Sequence, residues 1–534
     1  MDSSAPELYL EYLKNNCPSI DINTLPSHIK ATLETTNWDE PTSALDWNNF
    51  AVVALLEADR SEDLSAKEFY LNMAMEALNQ GLELQEHPLC IAHLTLICVM
   101  IGDIEQAVNI GFSNLIDTLQ PAYNNKEKKL PGIVYLPWRN NNIQSDQEII
   151  EIIATDNGYK QALVLLTEAL CRTQLLFYNS YGLRLLHLYL QFLPNSITIN
   201  LKLGIANIAN DRWEGLLYLH RAAEIAPDFA PTLQALYLAY RDAKMIDTAN
   251  YWLNFAHDLQ QKNPDNLALK WAEIPADSPI TYTIFETELL LAVAPSFRSI
   301  VTTVLLGEGD WFEKEMEFWR SAIKPGMTVI DVGANVGVYT FSAARKVGSE
   351  GKVIAVEPFA ECVSCLEETC KINNINWVKI YAGAASDRIG TANLSLHNAN
   401  ELNEIVSEEV ARSLEPGSFA EVKCFTLDSL IETENLTEVN FLKIDAEGHE
   451  MSVLAGCNSI LELFSPTIMY ENIAGSKGSN LPVAEYLQNK GYQLYYYQPY
   501  VQKVISIDSL ENLPHQLNLI AIPSHKIPVT NILE

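Results

Sequence analysis

The chain has 534 residues, 48% of them hydrophobic and 19% charged, which at roughly 100 to 200 residues per domain predicts several packed cores and excludes a disordered or fibrous protein. Its 68 acidic residues against 35 basic ones give a net charge of -33, so a nucleic-acid backbone or an anionic membrane surface would be repelled, and no nucleic-acid partner is expected. Apolar stretches such as Ile91 to Ile101 fall short of a membrane span, the polar start lacks a leader pattern, and nine scattered cysteines suit a reducing compartment, so a cytoplasmic protein is expected.

Up to about Lys270, apolar residues recur at i, i+3, i+4 and i+7, which predicts an all-α region of helices packed on helices. The pattern is clearest where Ile197, Leu201, Gly204, Ile205 and Ile208 share a face, followed by Leu216, Leu219 and Ala223, by Leu233, Leu236 and Tyr240, and by Ala249, Trp252 and Ala256. Stacked second helices align Gly182, Gly215 and Ala249, then Leu186, Leu219 and Leu253, then Tyr189, Ala222 and Ala256, at steps of about 33 to 34 residues. Pro194 and Pro227 close two units, since proline cannot continue a helix. The pattern resembles tetratricopeptide repeats, best from Tyr181 to Asn263, and implies a TPR-like solenoid that receives a protein partner or presents a substrate. A helical extension that only covers the second half fits the same pattern. Pro121 to Asp146 reads as a polar break.

Residues 271–282 carry Pro275 and Pro279 and read as a linker between a helical domain, 1–270, and a second domain, 283–534. Beyond it the grammar alternates. Strands are expected at Met327 to Val332, Lys352 to Val356, Val378 to Tyr381, Phe441 to Ile444, Thr467 to Tyr470, Tyr492 to Tyr497 and Leu517 to Ile522. With helices at Tyr339 to Val347 and Glu361 to Ile372, this is an α/β, Rossmann-like fold around a mostly parallel sheet.

The segment TVIDVGANVGVYT ends the first of these strands at Asp331 and opens the next helix through Gly333 and Gly337. In such sheets ligands settle at the strands' carboxyl ends, where glycine lets the backbone approach them. Asn335 stands where a dinucleotide fingerprint needs its second glycine, and no lysine follows Gly337, so a dehydrogenase and a P-loop triphosphatase are both disfavoured. Glu357 ends the second strand, placed to accept the hydroxyls of a ribose.

The blocks PGMTVIDVGANVGVYT, VIAVEP, FTLDSL, FLKIDAEGHEMSVLAG and PTIMYEN, in that order, resemble the FkbM family of S-adenosylmethionine-dependent methyltransferases over about Glu308 to Pro523. The resemblance implies a class I fold with a seven-stranded sheet, S-adenosyl-L-methionine as cofactor, and methyl transfer to a hydroxyl of a sugar or secondary metabolite. It makes Gly333, Asn335 and Gly337 the turn cradling the cofactor's amino-acid portion, with Asp331 near its ammonium, Glu357 on the ribose, and Ala385 and Ser386 near adenine. It also points to FLKIDAEGHE as the second half of the site.

There His449 is the candidate general base, because it titrates near neutrality, with Asp445 holding acceptor or cofactor and Glu447 an alternative for either role. Lys443 lies on the same side of its strand as Asp445 and is expected to pair with a carboxylate. Asp445, Glu447 and Glu471 could together hold a divalent metal, but acids also accept from an ammonium, and no metal is favoured. Cys362, Cys365 and Cys370 fall on one helix and read as packing, as do the alternate rings among Tyr492, Tyr495, Tyr496, Tyr497 and Tyr500. His397 to Glu421 is the candidate substrate-facing loop. The acceptor expected is a small molecule or a glycan; the competing readings are a catalytically inactive interaction scaffold and, less favoured, an NAD-dependent oxidoreductase.

Overall fold

The N-terminal periodicity is realised as successive helices, among them Ala5–Asn16, Ala44–Arg60, Pro88–Met100, Gly158–Thr173, Ile197–Ala209 and Gly215–Ile225. This computed structural model describes residues 4–16, 25, 27–123, 130, 132–136, 146–173, 180–397, 403–413, 415, 417–473, 479–513 and 516–526. Its compact units are Met1–Ala235 and Leu236–Glu534.

Within the first unit, Ser43 and Asp46 form a reciprocal capping box that starts Ala44–Arg60. Pro88–Met100 is apolar nearly all round and buried from Pro88 to Cys98, as a central helix should be. Ile197–Ala209 and Gly215–Ile225 close on each other through glycine: a Cβ on Gly215 would lie 2.5 Å from the Gly204 carbonyl oxygen, and one on Gly204 would lie 2.3 Å from Leu219. Leu186, Tyr189, Leu219 and Ala222, aligned by the repeat register, are all buried. The expected polar break at Pro121 to Asp146 differs in part: Ile104–Tyr123 runs through Pro121, and residues 132–136 are extended and buried. Residues 124–129, 131 and 137–145 lie outside the described residues.

In the second unit, the stretch expected as a linker is tied down. Trp271, in the 3-10 turn Leu267–Glu273, is 2% exposed and stacks on Tyr237 with ring centroids 5.5 Å apart, and Arg241 Nη2 donates to the Ser278 carbonyl at 2.8 Å. A hairpin of Thr281–Phe285 and Leu289–Val293 follows.

The main sheet is built from β1 (Thr328–Val332), β2 (Lys352–Glu357), β3 (Val378–Ala382), β4 (Phe441–Ile444), β5 (Thr467–Glu471), β6 (Tyr492–Gln498), β7 (Lys503–Ser506) and β8 (Asn518–Pro523). Its order is β7-β6-β8-β5-β4-β1-β2-β3, with β3, β2, β1, β4 and β5 parallel and β8, β6 and β7 joined by antiparallel pairings. The sheet therefore has eight strands, not the expected seven. The extra one is β7, an edge strand whose short, half-exposed run KVIS carries no apolar alternation to announce it. Apolar residues of β1, β4 and β5, including Ile330, Val332, Leu442, Ile444, Ile468 and Tyr470, share one core. The chain leaves β1 toward β2 and β3 and returns on the other side at β4, so the order reverses between β1 and β4. A ligand crevice belongs outside their carboxyl ends.

A second, four-stranded sheet of Ala384–Ala385, Gly390–Ser395, Ile405–Val406 and Phe419–Phe425 occupies the span between β3 and β4. Ile405–Val406 and the start of Phe419–Phe425 fall within the expected loop His397 to Glu421, of which residues 398–402, 414 and 416 lie outside the described residues.

Candidate active site

β1 is buried on both faces and delivers Asp331 to the reversal point. Asp331 is 1% exposed; its Oδ2 accepts the Thr340 hydroxyl at 2.6 Å, and its Oδ1 is buried without a hydrogen-bond partner. Burial raises its pKa, and Lys443 opposes that rise. The following turn takes left-handed backbone at Gly333 (φ 77°), Asn335 (φ 50°) and Gly337 (φ 99°). Asparagine tolerates this conformation better than most residues, and the Asn335 Oδ1 accepts the Val336 N–H at 2.7 Å. A Cβ on Gly333 would sit 1.7 Å from the Asp445 carbonyl oxygen, so the absent side chain lets the two motifs touch. Amides of Gly333 and Ala334 donate to the Val356 carbonyl at 3.0 and 3.1 Å, pinning the turn to the end of β2.

Glu357 closes β2 with its carboxylate under the turn: Oε2 accepts the Asn335 N–H and Oε1 the Phe359 N–H, each at 2.8 Å. It is 6% exposed, and burial pushes its pKa up to about 7 against the pull of those two amides.

In β4, Lys443 stands opposite Asp331 in the parallel register, and the Asp445 amide donates to the Val332 carbonyl at 3.0 Å. The Lys443 ammonium is enclosed, 2.7 Å from Asp445 Oδ2 and 4.5 Å from the centre of the Tyr339 ring. Burial works against its charge, but Asp445, Asp331 and Glu313 outweigh it and raise its pKa. Glu313 accepts from the Tyr339 hydroxyl at 2.5 Å and from Asn518 Nδ2 at 2.8 Å. The turn after Asp445 is held from within: Glu450 Oε1 accepts the amides of Ala446 and Gly448 at 3.1 and 2.9 Å, and its Oε2 accepts from Asn480 Nδ2 at 3.1 Å.

His449 Nε2 lies 3.1 Å from Ser386 Oγ, joining the loop after β4 to the one after β3. Burial lowers the His449 pKa, although Glu450 and Asp387 oppose it, so the ring is neutral at neutral pH. Ser386 is 2% exposed and fixed by its amide, which donates to the Phe425 carbonyl at 2.9 Å, while Ala385 pairs with Phe425.

Asp445, Glu447 and Glu471 each bring an oxygen within 4.8 Å of the others. Burial first, then Asp445, Glu447 and Glu450, push the Glu471 pKa up to about 10, and Lys443 opposes that rise. Cys362 and Cys365 are buried in Ala360–Ile372, and burial lifts the Cys365 thiol to about 12, far from a metal-binding thiolate.

The structure thus gathers Asp331, Gly333, Asn335, Gly337, Glu357 and Asp445 at the carboxyl ends of β1, β2 and β4, and joins Ser386 to His449. Sequence reasoning missed Thr340, Glu313 and Glu450. Glu450 carried a signal, as the acid closing DAEGHE at a helix start, whereas Glu313 precedes β1 in an irregular stretch and carried none. The orphaned Asp331 oxygen and an acid at the end of β2 with acceptor capacity left after two amide bonds fit the ammonium and diol of S-adenosylmethionine.

A glycine turn after β1, an acid after β2 and a reversal between β1 and β4 form the kind of crevice in which open α/β sheets hold a nucleoside cofactor. Residues 331–494 match the family described as methyltransferase FkbM domain. Over 179 residues the chain is 26% identical to Methyltransferase 1 of Beauveria bassiana (strain ARSEF 2860), covering 31% of this chain and 71% of that one. It is 31% identical over 114 residues to protein-L-isoaspartate O-methyltransferase 1 of Arabidopsis thaliana, covering 21% of this chain and 45% of that protein. The crystal structure of methyltransferase FkbM from Methylobacillus flagellatus KT aligns at 14% identity and a TM-score of 0.25, over 42% of this chain and 53% of that one.

Proposed function

We propose that the C-terminal unit transfers the methyl group of S-adenosylmethionine to a hydroxyl of a small molecule or glycan. The single observation that carries this reading is the placement of Asp331 at the start of the Gly333 turn and of Glu357 on that turn's Asn335 amide, with the Asp445 carbonyl against Gly333. The cofactor supplies an activated methyl on a sulfonium, so the protein's tasks are alignment and proton removal. Asp331 and Glu357 orient the cofactor, and Lys443 fixes the Asp445 carboxylate toward the crevice. His449, neutral and steadied by Ser386, takes the acceptor's proton; Glu447 is the alternative base. The sheet inserted between β3 and β4 lies in the chain between Ser386 and Asp445, a placement that supports the span 397–421 as the segment contacting the acceptor.

A net charge of -33 supports an acceptor other than nucleic acid, and the helical pattern from Tyr181 to Asn263 supports a tetratricopeptide-like module recruiting a protein or presenting the substrate. Among the described residues no helix is long and apolar enough to cross a membrane. The eight cysteines among the described residues are free thiols, which supports a reducing compartment such as the cytoplasm. Incubating the protein with methyl-labelled cofactor and source-cell extract tests the activity, with label expected in an O-methyl group. His449→Gln should abolish the rise of rate with pH through the histidine range. A labelled product carrying N- or C-methyl, or a His449→Gln profile unchanged in shape, would overturn the assignment.

A further inference from the structure

Residues 132–136, Gly-Ile-Val-Tyr-Leu, run extended through the first unit with every residue buried. An extended backbone presents the polar groups of alternate residues to opposite edges, and here both edges are met by side chains. On one edge, the Tyr9 hydroxyl donates to the Val134 carbonyl at 3.2 Å and accepts its N–H at 3.3 Å. Tyr12, one helical turn on, does the same for Leu136 at 2.7 and 2.9 Å. On the other edge, Asn48 Nδ2 donates to the Ile133 carbonyl and Asn49 Oδ1 accepts the Ile133 N–H, both at 3.1 Å. His93 Nε2 accepts the Tyr135 N–H at 3.0 Å.

These readers are themselves set. Because Nε2 accepts, the His93 proton sits on Nδ1 and is donated to Asn48 Oδ1 at 2.8 Å, and burial keeps the ring neutral by lowering its pKa to about 3. Asn48 Nδ2 also donates to Asn49 Oδ1 at 3.1 Å, and Asn49 Nδ2 to Thr36 Oγ1 at 2.8 Å. Side chains of the segment are selected too. The Tyr135 hydroxyl donates to Asp59 Oδ2 at 2.8 Å, its ring stacks on Tyr12, and a Cβ on Gly132 would lie 2.6 Å from Leu89.

Receptors for extended peptides satisfy the peptide's main-chain groups and provide pockets for its side chains; here side chains of three helices take the part that a sheet edge plays elsewhere. We propose that the helices Ala5–Asn16, Ala44–Arg60 and Pro88–Met100 form a receptor for an extended, uncharged peptide of aliphatic residues around one tyrosine. The chain's own residues 132–136 fill it in cis, and a partner protein's segment of the same chemistry enters by displacing them. This rests on the helical unit alone and is independent of the methyltransferase reading.

The test uses the full-length chain with Ile133→Ser, Val134→Gly, Tyr135→Ser and Leu136→Gly, which empties the groove, and a fluorescent synthetic peptide spanning residues 131–137. By anisotropy the emptied chain should bind this peptide saturably, the unaltered chain about tenfold or more weaker through competition, and adding Tyr12→Phe or Asn49→Ala should weaken binding by about tenfold, the scale of a lost hydrogen bond or two. An emptied chain that keeps its helical circular dichroism yet binds no peptide, or binds a scrambled one equally, overturns the proposal. So does a segment-exchanged dimer of the unaltered chain in solution. Should the emptied chain fail to fold, hydrogen exchange of the unaltered chain decides: the amides of Val134, Tyr135 and Leu136 should exchange through an opening that leaves the Ala44–Arg60 amides protected. Exchange of both sets only together would make the segment a fixed part of the core and end the proposal.

Discussion

Gly333 carries two constraints at once, a left-handed backbone and a Cβ position 1.7 Å from another carbonyl oxygen. Gly333→Ala should therefore lower stability by about 1 to 3 kcal/mol and weaken cofactor binding by about tenfold or more, measured by denaturant melts and titration calorimetry. Lys443 is the opposite kind of residue, a buried charge whose removal strands Asp445 and Asp331. Lys443→Met should cost about 3 to 5 kcal/mol, and adding Asp445→Asn should restore part of it, because the uncompensated carboxylate then disappears. Additive losses in that cycle would show that the pair does not act as a unit. Gly333, Gly337 and Glu357 were legible in the sequence because turn chemistry and strand ends are local. The contact of His449 with Ser386 and the grip of Glu313 on Tyr339 were not, since each joins residues far apart in the chain through the sheet order.

At the scale of elements, the helix and strand periods gave most of the α/β core correctly, because strands buried on both faces read as short apolar runs. The hairpin at 281–293 and the sheet inserted after β3 escaped notice. The first begins only where the proline-bearing stretch 271–282 ends, and the second is half-exposed: Phe419–Phe425 alternates Ala420, Val422 and Cys424 with Glu421 and Lys423 but starts inside an Asn- and Glu-rich stretch that reads as a loop. The short turn after β4 depends on Glu450, which satisfies the Ala446 and Gly448 amides together. Glu450→Ala should leave cofactor affinity within about twofold but lower kcat by about tenfold to a hundredfold, because a loosened turn misplaces Asp445, Glu447 and His449. Steady-state kinetics beside calorimetry would separate these effects, and a loss confined to affinity would contradict the role given to the turn.

For the C-terminal unit as a whole, buried acids set a pH dependence with a definite sign. Burial pushes Glu357 and Glu315 to about 7 and Glu471 to about 10, so the folded state keeps protons that the unfolded chain has released. The stability this confers is complete below the unfolded glutamate pKa of about 4.3 and is lost as pH rises through those folded values. The melting temperature of the ligand-free protein should accordingly fall between about pH 5 and about pH 8, and a rise over that range would contradict the burial of these acids.

Calorimetric titration with S-adenosylmethionine of the unaltered protein, of Asp331→Ala and of Glu357→Ala is the most direct measurement. Saturable binding by the unaltered protein, lost in both variants while their circular dichroism is retained, is the expected result. Equal binding by the variants, or none by the folded unaltered protein, would contradict the assignment of the crevice between β1 and β4 to this cofactor.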